Sequence, residues 1–208
     1  KDFAPQSIIM LGHPSLTFDA TGDYFKNTLV NFPFGGAFNS RINLNLREDK
    51  GYTYGIYSGF SGNAHKGNFI ISTSVKRNVT GLALKEILTE TKNYIEKGIT
   101  DEEVAFTKSS ILNSEALDYE TQYQKALFLN KIGRYKLSKD FPAQQAQILK
   151  NMTKDEFNQQ IKKSYKNNLT TVIVGDSYIV KDQLNKLANE KDPAKALKVG
   201  KVKELSLD

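Results

Sequence analysis

The chain has 208 residues, of which 39% are hydrophobic and 25% are charged, and its formal net charge is +6. Twelve phenylalanines and ten tyrosines are more apolar surface than a disordered chain carries, and no apolar run reaches the roughly 18 residues of a membrane-spanning helix. Because cysteine is absent, disulfides, thiolate zinc sites, iron–sulfur clusters and cysteine nucleophiles are excluded.

The first predicted elements are a buried strand over residues 6–11 and a helix over residues 21–31. The strand is a short, mainly apolar run that Gly12 and Pro14 end. In the helix, apolar side chains recur every three or four positions, and Thr21 is placed to cap the first turn. Pro33 and the pair Gly35–Gly36 predict the end of this helix.

A second helix is predicted over residues 38–47, with Phe38 on its inner side and Asn43 on its polar side. Gly51 is expected to end it, because glycine readily adopts the positive φ found after a helix C-terminus. The hydrophobic period then changes to two, which predicts an antiparallel hairpin over residues 52–75.

The second half of the chain is predicted to be mainly helical. Apolar spacing and capping residues indicate helical segments over about 84–97, 100–117, 120–137, 142–150, 153–165 and 178–190. Thr100 and Thr153 each begin a capping box. In the helix over 120–137, Ala126 and Leu127 are expected to pack inward. The β-branched run at 169–174 predicts a buried strand.

These elements predict a single α+β domain over residues 1–208. Its expected architecture is a two-layer sandwich, with a mainly antiparallel sheet and helices packed on one face. His13 is interpreted as a strand-end residue and His65 as an exposed loop residue. No combination of residues predicts a self-contained active site or a metal centre in this chain.

One stretch, residues 35–54, resembles a known family signature. It reads GGAFNSRINLNLREDKGYTY. In order and spacing it is similar to the Gly-Gly, Ser-Arg-Leu, Leu-Arg-Glu, Lys-Gly-Leu-Ala-Tyr signature of the M16 (pitrilysin/insulinase-like) zinc metallopeptidases. The resemblance extends over roughly residues 5–206. Tyr52 and Thr53 stand where the family usually has Leu and Ala.

The resemblance implies a role in peptide hydrolysis that this chain does not perform alone. In the family, two homologous halves close around a peptide, and only the first half carries the inverted zinc motif His-x-x-Glu-His. This sequence lacks the motif, so it resembles the second, non-metal half. The resemblance therefore implies no cofactor in this chain, with zinc in a partner half that belongs to the same polypeptide or to a partner subunit.

The same resemblance assigns the expected site residues. The family's Arg/Tyr pair, which holds the substrate backbone near the scissile bond, falls on Arg47 and Tyr54. Gly35 and Gly36 stand where related processing peptidases have a longer glycine-rich loop beside the substrate. Here the glycine stretch is short, which argues against substrate handling by such a loop.

Residue chemistry agrees with this assignment but leaves an alternative open. A guanidinium and a phenol both donate hydrogen bonds to a peptide carbonyl, and Gly51 would permit the reversal that brings Arg47 and Tyr54 together. In a regular strand, however, Tyr54 shares a face with Ile56 and Phe60, and it would then be a core residue. Arg47 would then be a helix-end cation that the helix dipole favours.

Three functions are compared. The first is the non-catalytic C-terminal half of an M16-type zinc endopeptidase, which closes the chamber and orients peptide. The second is an inactive structural or assembly subunit, like the core proteins of respiratory complexes. The third is a nucleic-acid-binding module, which is disfavoured because only four residues are arginine and the lysines are typical of a solvated face. The family favours an extracytoplasmic bacterial location, and the residues leave the compartment open.

Overall fold

The centre of the fold is a four-stranded antiparallel sheet. A computed structural model describes residues 3–114, 120–190 and 200–205. The strands in these ranges are β1 (Gln6–Pro14), β2 (Thr53–Phe60), β3 (Asn68–Lys76) and β4 (Thr170–Val174). Their order is β2–β3–β1–β4, and each neighbouring pair is antiparallel. The predicted hairpin is confirmed as β2 and β3.

The helices pack on one face of this sheet. They are α1 (Asp23–Asn31), α2 (Arg41–Asn43), α3 (Thr80–Lys97), α4 (Asp101–Ser114), α5 (Gln122–Tyr135), α6 (Phe141–Asn151), α7 (Lys154–Ser164) and α8 (Ser177–Ala188). Side chains of β1 alternate between exposed and buried, and the buried ones share a core with α1, α3 and α7. The predicted α+β architecture is confirmed, whereas the single domain over residues 1–208 stays a prediction. Within the described ranges, no helix has both the length and the apolar character needed to cross a membrane.

Three aromatic rings join the helices at the centre of the core. The ring of Phe34 lies 5.0 Å from Tyr94 and 5.1 Å from Tyr165, measured between centroids. The Tyr94 hydroxyl donates to the Val30 carbonyl at 2.7 Å, and the Tyr165 hydroxyl donates to Asn31 Oδ1 at 3.2 Å. Burial raises the pKa of both phenols well above its usual value. They therefore stay protonated at neutral pH and keep these hydrogen bonds.

Helix α1 ends at Asn31, as predicted, but a π-helical turn, Phe32–Gly36, continues the helical backbone directly after it. The N–H of Ala37 donates to the Phe32 carbonyl at 3.1 Å, five residues back. Where the hydrogen bonds of a helix change from a span of four residues to a span of five, one backbone N–H is left without a carbonyl partner. Proline fits this position because it has no backbone N–H, and Pro33 stands there. Pro33 therefore does not end the helical backbone, whereas the predicted stop at Gly35–Gly36 is confirmed, because Gly36 is the last helical residue and Ala37 is extended.

The helix starts were predicted correctly where a capping box was present. At Thr100 and Thr153 the side-chain oxygen accepts from the N–H three residues later, and the glutamate there accepts the threonine N–H. Thr21, by contrast, does not cap α1, which begins after Gly22 without a side-chain cap. The Asp19 carboxylate instead accepts the N–H groups of Thr21 and Gly22, at 3.1 and 3.0 Å.

The second helix begins three residues later than predicted and is mostly π-helical. It consists of α2 and a second π-helical turn, Leu44–Asp49. Phe38 lies before it and is exposed, whereas Asn43 is buried, so both of these burial predictions are wrong. The predicted stop is confirmed, because Gly51 has φ +63°. Such a φ is strained for any residue with a side chain.

Two apolar segments are more exposed than predicted. No residue of α5 is buried, and Ala126 and Leu127, which were expected to pack inward, are exposed. The run at 169–174 forms the edge strand β4, which pairs only with β1 among the described strands. Hydrophobic sequence alone predicted burial in both cases, but burial requires a neighbouring element that covers the segment.

The sheet face opposite the helices carries an apolar patch, which we call the outer sheet face. Ile8 pairs with Val174, and Met10 pairs with Val172. These four side chains are between 41% and 56% exposed, and their register makes them neighbours on one face. Neighbouring exposed aliphatic residues of this kind are typical of a surface that another protein segment covers.

Candidate functional site

Arg47 lies in the π-helical turn Leu44–Asp49, and its side chain is held from two sides. The guanidinium carbon lies 4.2 Å from the centre of the Phe38 ring, which is a cation–π contact. Its Nη1 lies 2.9 Å from Glu48 Oε1, and the side chain stays partly exposed. A stacked guanidinium is always charged and offers a rigid set of donors, which suits a carbonyl oxygen or a carboxylate.

Tyr54 projects from an irregular place in β2. Thr53 pairs with Val75 and Ile56 pairs with Thr73, so three steps along β2 match two along β3. This extra residue is a β-bulge, and it breaks the alternation of side chains between the two faces. As a result Ile56 is fully buried while Tyr54 is 92% exposed. The alternative in which Tyr54 is a core residue is therefore wrong.

The elements that carry Arg47 and Tyr54 pack against each other. The N–H of Tyr52 donates to the Leu46 carbonyl at 2.9 Å, which brings the start of β2 back onto the π-helical turn. The positive φ of Gly51 makes this reversal possible. That the guanidinium and phenol tips meet at one peptide carbonyl stays a prediction.

A buried asparagine, which the sequence reasoning placed on the polar side of the helix, links the two elements. Asn43 Nδ2 donates to the Phe38 carbonyl at 2.6 Å, and Asn43 Oδ1 accepts the N–H of Ile56 at 3.1 Å. Asn43 thereby connects the segment of Phe38, on which Arg47 stacks, to strand β2, which carries Tyr54. Phe38 was also missed, because its contact is with a charged group and not with the core. Helical periodicity contains no signal for either role.

Gly35 and Gly36 belong to the π-helical turn Phe32–Gly36 and not to a loop. A Cβ at Gly35 would lie 2.2 Å from Ser58 Oγ and 2.5 Å from Ile42 Cδ1, so any larger residue would force these two side chains to move. Gly36 is exposed. Close packing explains Gly35, and a contact of either glycine with substrate stays a prediction.

The histidines do not form a metal site. His13 is buried at the end of β1, its ring centroid 5.2 Å from that of Phe69, and His65 is exposed in the loop between β2 and β3. Across residues 3–114, 120–190 and 200–205, no three His, Asp or Glu side chains lie close enough together to hold a metal ion. The described residues therefore do not fit the zinc of the M16 peptidases.

Comparison with known proteins identifies the family. Residues 1–111 match the model of the peptidase M16 inactive domain, a range that contains Arg47, Tyr54 and the signature at 35–54. Over 119 residues the chain is 34% identical to the non-peptidase homolog YmxG of Helicobacter pylori, which covers 56% of this chain and 27% of that protein. Over 132 residues it is 28% identical to the uncharacterized zinc protease SCO5738 of Streptomyces coelicolor, a match that covers 64% of this chain and 28% of that protein.

A solved structure agrees with these relatives. The peptidase M16 inactive domain from Pseudomonas fluorescens is similar with a TM-score of 0.72 and 25% identity, over 81% of this chain and 40% of that one. The matched regions thus span less than half of each of these three proteins. Because the family model covers more than half of the sequence and the fold agrees, this chain belongs to the M16 zinc protease family as a domain of the inactive, C-terminal type.

Proposed function

We propose that this chain is the non-catalytic C-terminal half of an M16-type zinc endopeptidase. It closes the chamber and orients a peptide for hydrolysis by a zinc-bearing N-terminal half. The observation that carries the proposal is the position of Tyr54: a bulge puts this large aromatic ring almost wholly into solvent, beside the element that carries Arg47. Single exposed tyrosines are common on protein surfaces, so it is the bulge that turns this ring outward beside the element that carries Arg47, and not exposure alone, that supports a ligand.

The chemistry of the two side chains fits a peptide backbone. Both are donors at neutral pH, and the carbonyl of an extended peptide is an acceptor. Attack on the scissile carbonyl places negative charge on its oxygen, and a donor that is already in place stabilises that charge more than it stabilises the substrate. Arg47 and Tyr54 would therefore hold the peptide and also accelerate its hydrolysis. Zinc and the general base come from the partner half.

The isolated chain is expected to bind no zinc stoichiometrically and to hydrolyse no peptide. The reason is that its described residues offer no cluster of metal ligands, and the sequence lacks His-x-x-Glu-His. Equilibrium dialysis against zinc with metal analysis, together with a quenched fluorogenic peptide, measures both properties. Robust cleavage by the pure chain, unaffected by inhibitors of contaminating proteases, would refute the proposal.

The outer sheet face supports pairing with the other half. Its four side chains are aliphatic and uncharged, and relatives of this chain contain more than twice the aligned length. We therefore assign the outer sheet face as the surface that packs against an apolar surface of the zinc-bearing half. Replacing either of two paired residues, Met10→Asp or Val172→Asp, should weaken association with that half about tenfold or more, because each buries a charge.

Calorimetric titration of the chain with a purified zinc-bearing M16 half measures this effect. Tyr178→Asp is the matched control, because Tyr178 is also an exposed hydrophobic side chain but belongs to helix α8 and not to the sheet. Thermal unfolding shows whether each variant is folded. Equal dissociation constants for wild type and a folded Met10→Asp variant would contradict the assignment.

The second candidate function is a structural subunit without a peptidase role. It is favoured by one observation, the 34% identity to a protein named as a non-peptidase homolog. The two functions differ in the partner half. A half with His-x-x-Glu-His supports the enzyme, whereas a partner half that also lacks this motif supports the structural subunit.

A further inference from the structure

The β-bulge beside Tyr54 is held by two threonine hydroxyls. A bulge leaves backbone groups of the extra residue without partners in the ladder. Here Tyr54 and Gly55 together lie opposite Ser74, and the N–H of Gly55 donates to Thr53 Oγ1 at 3.1 Å. The Gly55 carbonyl lies 2.9 Å from Thr73 Oγ1 and 2.9 Å from Thr53 Oγ1. Side chains therefore satisfy both backbone groups of Gly55.

The two hydroxyls also contact each other and the opposite strand. Thr73 Oγ1 lies 2.9 Å from Thr53 Oγ1, and Thr53 Oγ1 lies 2.8 Å from the Ser74 carbonyl. Each hydroxyl has one proton. All groups are satisfied when Thr53 donates to Ser74 and Thr73 donates to Gly55. Thr73 is buried, so water cannot readily replace its hydroxyl in this arrangement.

This arrangement decides where Tyr54 points. In a regular strand Tyr54 and Ile56 would share one face, and Ile56 is in the core. With the bulge in place, the same backbone directs Tyr54 into solvent. Loss of the Thr53 hydroxyl would leave the N–H of Gly55 without its acceptor, and loss of the Thr73 hydroxyl would leave one proton, that of Thr53, for the carbonyls of both Gly55 and Ser74. Either loss would weaken the contacts that keep the bulge at this position.

We propose that Thr53 and Thr73 are positioning residues, which hold Tyr54 in the orientation that binds peptide. This inference rests on the proposed function. The M16 resemblance has Ala at the position of Thr53, so the pair of hydroxyls is a feature of this chain and not of the family signature. Neither threonine touches the peptide, and both act through Tyr54.

A double-mutant cycle tests the inference, with kcat/KM of the chain assembled with its zinc-bearing half as the measurement. Tyr54→Phe should lower kcat/KM about 10²- to 10³-fold. Thr73→Val, which has the same shape but no hydroxyl, should lower it about 10-fold or more, because small displacements of a positioned donor are costly. In the Tyr54→Phe background, Thr73→Val should cost about twofold at most, because its effect passes through the phenol.

Two controls separate positioning from general damage. Thr73→Ser keeps the hydroxyl and should restore kcat/KM close to that of the wild type. Thr91→Val removes another buried hydroxyl, which donates to the Ile87 carbonyl at 2.8 Å in α3, and it should not couple to Tyr54→Phe. In the chain alone, hydrogen exchange of the Gly55 amide should accelerate in Thr53→Val and stay slow in Thr53→Ser.

The outcomes distinguish the two proposals. If Tyr54→Phe leaves kcat/KM unchanged, the proposed function fails, and the positioning role fails with it. If Tyr54→Phe lowers kcat/KM but Thr73→Val lowers it by the same factor in both backgrounds, the proposed function stands and the positioning role is overturned. Non-additive losses with rescue by Thr73→Ser support both.

Discussion

Tyr54→Phe and Arg47→Lys should each lower peptide hydrolysis by the assembled protease about 10²- to 10³-fold. Phenylalanine keeps the ring and removes the donor. Lysine keeps the charge but loses the planar donor set and its stacking on Phe38. Tyr54 is almost wholly exposed and Arg47 is partly exposed, so the loss should appear mainly in kcat/KM, with only a small change in thermal stability where Arg47→Lys weakens the contact with Phe38. Steady-state kinetics with a fluorogenic peptide measures it.

The chain supplies matched controls for both substitutions. Tyr178→Phe removes the hydroxyl of another exposed tyrosine, and Arg134→Lys alters an exposed arginine of α5. Both control variants should hydrolyse peptide at the wild-type rate. If Tyr54→Phe and Arg47→Lys behave like these controls, the two side chains do not hold substrate, and the structural-subunit function becomes the better explanation.

Asn43→Leu should lower the free energy of unfolding by roughly 2–4 kcal/mol, because it leaves two backbone groups without partners. Leucine has the same branching and number of heavy atoms as asparagine but bulkier methyl groups, so the loss includes a packing contribution at this buried site. The affected groups are the N–H of Ile56 and the carbonyl of Phe38. Urea unfolding followed by circular dichroism measures this free energy.

Asn39→Leu is the control for this prediction. Asn39 is exposed in the same short segment, and surface substitutions of this kind usually change stability by no more than about 0.5 kcal/mol. If the two variants unfold at the same urea concentration, Asn43 does not link α2 to β2 in the way the structure indicates.

The local elements could be predicted because their causes lie within a few residues of each other. The capping boxes at Thr100 and Thr153 need only a threonine and a glutamate three positions later. The turn at Gly51 needs only a residue that tolerates positive φ. The hairpin of β2 and β3 follows from a hydrophobic period of two. Each of these predictions is confirmed.

The candidate site was predicted in part. The family signature indicated Arg47 and Tyr54 by their spacing, but it did not show whether Tyr54 faces solvent or the core. Periodicity favoured the core, and the β-bulge reversed that expectation. A bulge depends on partners from another strand, such as Thr73, which lies 20 residues from Thr53.

By itself, the amino-acid sequence determined the α+β class and most of the secondary structure, because the hydrophobic period and capping residues act over a few positions. The two residues worth testing came from the resemblance to the family signature. Only the tertiary structure decided which surfaces are covered. It buried Asn43 between two elements, left Phe38 under a guanidinium, and placed β4 at an edge with its valines exposed. Burial depends on what packs against a residue, and those neighbours come from distant parts of the chain.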